Sequence, residues 1–88
     1  MMHRVLIPPA LRSYTGGAAE VRAPGATLAE LLADLEARHP GLRFRIIDEH
    51  DRIRAHIWIF VDGRLARETS HPMTPVDEVQ IVPALSGG

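Results

Sequence analysis

Four leucines set most of the limits on what this chain can become. Leu28, Leu31, Leu32 and Leu35 fall at i, i+3, i+4 and i+7, one apolar stripe of a helix. Thr27-Leu28-Ala29-Glu30 is a capping box ahead of the stripe, and His39-Pro40-Gly41 supplies breakers after it. Burying each leucine contributes roughly 1.5–3 kcal/mol, so the stripe needs an apolar surface to lie on. Strands supply that surface. His3 to Ile7 is β-branched and apolar and stops at Pro8-Pro9. Ala19 to Ala23 alternates small or apolar residues with charged ones. Ile57-Trp58-Ile59-Phe60-Val61 is the strongest strand signal and ends at the turn pair Asp62-Gly63. A short strand over 65–68 and a last strand over 76–83 complete the set, with 69–74 as loop.

The first two strands are separated by Arg12-Ser13-Tyr14-Thr15-Gly16-Gly17, whose paired glycines suit a turn, so an antiparallel hairpin is expected. Strand 57–61 is apolar on both faces. It is therefore central, or one face meets a partner. Residues 41–55 read two ways: Leu42, Phe44 and Ile46 alternate like a strand, whereas Leu42, Ile46 and Ile47 fit one side of a short helix. With strands outnumbering helices, the expected class is α+β, a mixed sheet of four to five strands packed on one main helix. A β-grasp is one of the few small folds with this order. Residues 1–83 form its single domain, and 84–88 are expected to be a flexible tail.

Composition excludes several function classes. The chain has 88 residues, a net charge of −1 and a 45% hydrophobic content, an ordinary globular balance that favours neither nucleic acid nor an anionic membrane as partner. No apolar run approaches the roughly 20 residues of a membrane span, and the apolar start is short for a signal peptide. A cytoplasmic protein is expected. There is no Cys, hence no disulfide, thiolate metal site or thiol nucleophile, and there is no Lys, all ten basic residues being Arg. His3, His39, His50, His56 and His71 show no metal-ligand spacing, so no metal is expected. Arg43, Arg45, Arg52 and Arg54 lie among Asp48, Glu49 and Asp51, which reads as a solvated mixed-charge surface; an RNA patch is the weaker reading.

The informative motif is the ending. Gly87-Gly88 directly follows the last strand, after only Ala84-Leu85-Ser86. Five extended residues reach roughly 17 Å beyond the sheet. Glycine lets a partner's backbone or a phosphate close around it. A carboxylate must be activated before sulfur or an amine can attack it. The chain contains neither GxGxxG nor GxxxxGK[ST], so activation falls to another protein. The chain reads as substrate and carrier rather than enzyme.

The ending Asp77-Glu78-Val79-Gln80-Ile81-Val82-Pro83-Ala84-Leu85-Ser86-Gly87-Gly88 resembles the close of the ThiS/MoaD sulfur-carrier family, ubiquitin-like β-grasp proteins. Ile7-Pro8-Pro9-Ala10-Leu11-Arg12 and Thr15-Gly16-Gly17 resemble that family's first strand and loop. Ala26 to Leu32 resembles its helix start, and Phe60-Val61-Asp62-Gly63 its central strand and turn. Within the family the chain looks most similar to MoaD-like carriers of cysteine or sulfur-metabolite synthesis. The resemblance implies a short second helix over 40–47. It also implies loading in two steps: an E1-like (ThiF/MoeB-type) adenylating enzyme uses ATP to adenylate Gly88, and a persulfide sulfurtransferase leaves a thiocarboxylate that a downstream enzyme consumes. No cofactor stays bound to the carrier. Gly88 carries the chemistry, Gly87 permits threading, and Leu85 and Ser86 lie in the partner's channel. Trp58 and Phe60 point the same way on their strand and, with Val82, are candidates for a docking patch. Rival readings are the small subunit of molybdopterin synthase, a ubiquitin-like protein modifier and an inert interaction module.

Overall fold

The capping box forms at the start of α1 (Leu28–Arg38). Thr27 accepts the amide of Glu30 at 3.2 Å, and Glu30 reaches back to the amide of Ala26 at 3.0 Å. The next amides, Leu28 and Ala29, donate to the carbonyls of His71 and Thr69 at 3.0 and 2.8 Å. The 69–73 loop is thereby latched across the helix start, and its Met73 is fully buried. The sequence marked this stretch only as loop. All four leucines of the stripe are buried. The computed structural model describes residues 2–73, 75 and 78–83.

Five strands form one mixed sheet: β1 (Met2–Leu6), β2 (Glu20–Pro24), β3 (Ile57–Val61), β4 (Arg64–Ala66) and β5 (Glu78–Pro83), in the order β2-β1-β5-β3-β4. β1 pairs with β2 antiparallel, as the hairpin reading expects. β5 lies between β1, parallel to it, and β3, antiparallel to it. Asp62 and Gly63 have φ of 49° and 83°, both positive as a type I′ turn demands, and they close the β3–β4 hairpin with Val61 opposite Arg64. β3 has a neighbour on each side. One of its faces, Ile57, Ile59 and Val61, is buried in the same core as the leucine stripe. This is the β-grasp arrangement.

Three strands and the second helix, Leu42–Ile46 rather than 40–47, are bounded differently from the sequence reading. β1 and β2 are each shifted by one residue, and β4 is Arg64–Ala66 rather than 65–68. The connection after β1 is not only a turn. Pro9–Thr15 forms a 3-10 helix, because Pro9 sits at its first position, where no amide is needed. Gly16, at φ 64°, ends it. Val76 and Asp77, expected in the last strand, lie outside the described residues.

Residues 41–55 resolve in favour of the second helix, α2 (Leu42–Ile46), with Leu42 and Ile46 buried. No side chain at its own N-cap holds it; α1 does so instead. The Glu36 carboxylate takes the amide of Gly41 at 2.8 Å and that of Arg43 at 2.9 Å, two donors a helix start leaves open. These two bonds, the Gly41 one foremost, and the Arg43 charge hold the Glu36 carboxyl below its ordinary range. Gly41 is itself required: its φ is 95°, and a Cβ there would meet the Tyr14 ring at 3.1 Å.

Candidate functional site

The site is built around the outlet of β5. Pro83, the last described residue, lies opposite Ile57 at one end of the sheet. The predicted tail residues Leu85, Ser86, Gly87 and Gly88 lie outside the described residues. Two surfaces flank this outlet.

The first is the open face of the sheet. Cross-strand partners share a face, so register alone assembles it. Trp58 lies opposite Val82, and Phe60 lies opposite Gln80 on one side and Leu65 on the other. Gln80 in turn pairs with Leu6 of β1. Trp58 is 50% exposed and Leu65 40%, while Phe60, Val82 and Leu6 are half-buried. The Trp58 and Phe60 rings meet edge to face, centroids 6.3 Å apart. Trp58, Phe60 and Val82, singled out in the sequence, therefore adjoin one another on the half of the face nearest the outlet. Leu65 and Leu6 were missed. Leu65 could have been found by counting back from the Asp62-Gly63 turn, which sets it opposite Phe60. Farther from the outlet the face turns ionic, with Arg4 held between Glu78 at 3.0 Å and Glu20 at 3.9 Å.

The second flank is a cleft of about 360 Å³ on the other side of Pro83. Pro8, Leu11, Phe44 and Ile57 supply apolar wall, and Arg45, Arg54 and His56 line it as well. The Arg54 Nε donates to the Phe44 carbonyl at 2.8 Å, and its guanidinium lies 4.5 Å from the centroid of the Phe44 ring. Arg45 stands 5.9 Å from the centroid of Tyr14. Phe44 remains 57% exposed. The sequence reading took Arg45 and Arg54 only as part of a mixed-charge surface and left Phe44 in the two-way stretch 41–55, because the cleft joins chain positions far apart.

The histidines do not converge. His3 is buried with Nε2 3.1 Å from the Gly25 carbonyl, and among the described residues no group of three or more His, Asp or Glu could hold a metal ion. Among the same residues no helix is long and apolar enough to cross a membrane. What the two flanks offer is binding: an apolar aromatic field on one side of the outlet and a cationic, aromatic-floored cleft on the other.

A family model described as the ThiS family matches residues 5–88, nearly the whole chain. The chain belongs to the ThiS family. Curated relatives in it include the sulfur carrier protein CysO of Mycobacterium tuberculosis, 34% identical over 89 residues and matched across 96% of both chains. The crystal structure of Mycobacterium tuberculosis CysO superposes with a TM-score of 0.87 at 31% identity, over 93% of this chain and 98% of that one. CysO in the Amycolatopsis orientalis BexX/CysO complex gives a TM-score of 0.88 at 33% identity, over 97% and 98%. SAMP1 of Haloferax volcanii shares the fold at a TM-score of 0.81 and 24% identity, covering both chains in full. The ubiquitin-like β-grasp expected from the sequence is thus the fold of this family.

Proposed function

We propose that this chain is a sulfur carrier protein whose working group is the Gly88 carboxylate. The observation that carries the reading is the match, along essentially the full length of both partners, to curated sulfur carriers in a family this chain shares. The chain's own chemistry supports it. An ending in Gly87-Gly88 offers the least hindered carboxylate a protein can present, and a chain without Cys has no internal thiol to take the sulfur back.

The steps follow from the electrophile's needs. A carboxylate oxygen of Gly88 attacks the α-phosphate of ATP in an E1-like (ThiF/MoeB-type) enzyme, and pyrophosphate leaves. The outer sulfur of a persulfide donor attacks the acyl carbon, and AMP leaves. A thiol then attacks the donor's sulfur in the remaining S–S bond, forming a disulfide with the donor and releasing a thiocarboxylate on Gly88, which a downstream enzyme draws on. ATP is the partner's substrate and is not held by this chain. Leu85, Ser86 and Gly87 thread the partner's channel, while Trp58, Phe60 and Val82, joined by Leu65 and Leu6, dock against its surface. ATP and persulfides are intracellular reagents, which places the cycle in the cytoplasm.

The test is the intact mass of the protein after incubation with the adenylating enzyme, ATP and a persulfide donor. The expected product has one oxygen replaced by sulfur, mapped to the terminal residue. A chain lacking Gly88 stays unmodified and melts at the same temperature. An unchanged mass for the full chain refutes the reading.

A further inference from the structure

The cleft on the second flank has no part in the docking face just described, yet it shares the outlet. Pro83 lies in its wall, so the cleft borders the place where a partner that takes up the residues beyond Pro83 would work. Its two arginines are ready for an anion. Arg43, two residues before Arg45 on α2, is neutralised by Asp51 at 2.6 Å. Arg45 and Arg54 have no ion pair among the described residues. Asp48 feels the charge of Arg54, but its Oδ1 already accepts the amides of His50 and Arg52 at 2.8 and 3.0 Å. Arg54 is also pre-positioned. Its Nε is fixed by the Phe44 carbonyl and its plane rests near the Phe44 ring, which leaves the terminal nitrogens for a bidentate carboxylate contact. The exposed Phe44 ring beside it suits an apolar neighbour of that carboxylate.

We propose that this cleft is a second partner contact, which receives a loop of the adenylating enzyme carrying an Asp or Glu next to an apolar side chain. The proposal rests on the carrier reading and adds to it: the partner grips the chain on both sides of the tail, by apolar contact on the sheet face and by charge in the cleft. Charge outside the tightly packed part of an interface acts chiefly on the rate of encounter.

The experiment is stopped-flow association of the full-length chain with its adenylating enzyme at about 50 mM and about 500 mM salt. Arg45→Glu with Arg54→Glu is expected to slow association about tenfold at low salt, and the gap to the unaltered chain closes at high salt. Arg45→Lys with Arg54→Lys associates at close to the original rate. Should the Glu pair fail to melt cooperatively, Arg45→Gln with Arg54→Gln takes its place, with an expected slowing of about threefold. A folded Glu or Gln pair that associates at the unaltered rate overturns the proposal. So does a shift of the Phe44 and His56 resonances on removal of 84–88 from the free chain, which would make the chain's own tail the occupant. A dimer in sedimentation that the Glu pair dissolves would assign the cleft to a second copy, and a slowing equally large at both salt levels would deny it an electrostatic role. Intact mass separates the two readings: normal sulfur loading with unaltered association of the Glu pair removes the cleft alone, whereas no loading of the unaltered chain removes the carrier reading and this proposal together.

Discussion

Replacing Trp58 by Ala separates a docking role from a structural one, because the ring is divided between the two. It is 50% exposed in the free chain. A tryptophan side chain presents up to about 250 Å², so about 125 Å² remains for a partner to cover. At about 25 cal/mol per Å² this is worth up to about 3 kcal/mol, or some 150-fold in Kd. On the folded chain's side, the covered half of the ring is worth a similar amount, up to about 3 kcal/mol, and its edge-to-face pair with Phe60 adds about 0.5–1.5 kcal/mol beyond area. The expected loss of folding stability is therefore about 3–4 kcal/mol. Two measurements decide: denaturant unfolding of the free chain, and calorimetric titration into the adenylating enzyme. The expected outcome is a binding loss of about 2–3 kcal/mol in a variant that is still folded, beside the stability loss. A folded variant that binds with unaltered affinity would show that the ring belongs to the fold and not to the interface.

Two further substitutions probe how the scaffold is held. Gly25→Ala places a Cβ 2.6 Å from the backbone nitrogen of Leu31, so urea unfolding is expected to show a loss of about 1–3 kcal/mol without any change at the docking face. Glu36→Gln removes the charge from the bonds to Gly41 and Arg43 and is expected to cost about 1 kcal/mol at neutral pH, the low end for a solvent-facing group. The Glu36 pKa is lowered in the folded state, so its contribution is present above the ordinary value of 4.5 and fades as pH falls below it. The unaltered chain should therefore lose stability over that acid range more steeply than the variant, and parallel pH profiles would contradict the assignment.

What could be read from the sequence was what is local. The leucine stripe, the Thr27–Glu30 box and the Asp62-Gly63 turn each lie within one turn or one helix, and each appears where its pattern puts it. The alternation of Ile57 to Val61 also set Trp58 and Phe60 on one face, but with both faces apolar only the packing shows that it is the one away from the helix. What escaped is non-local. Met73 is buried because the 69–73 loop satisfies the first amides of α1, a pairing across some forty residues that no periodicity records. The α2 start has no cap of its own, since Glu36 supplies one from the preceding helix. Pro8-Pro9 reads as a strand breaker, and the same prolines also begin a 3-10 helix. The cleft needs Pro8, Phe44, Arg54 and Pro83 side by side, which only the sheet order arranges.

The parallel pairing of β1 with β5 has a practical corollary. Arg4 lies opposite Glu78, so Met2 and Pro83 stand about seven residues apart along the sheet, or roughly 23 Å. Five extended residues beyond Pro83 span only about 17 Å. A bead, a surface or a reporter domain attached ahead of Met2 therefore sits beyond the tether of Gly88, on the opposite rim. If the proposed carrier function holds, the chain anchored by that rim would offer Gly88 to one enzyme after another.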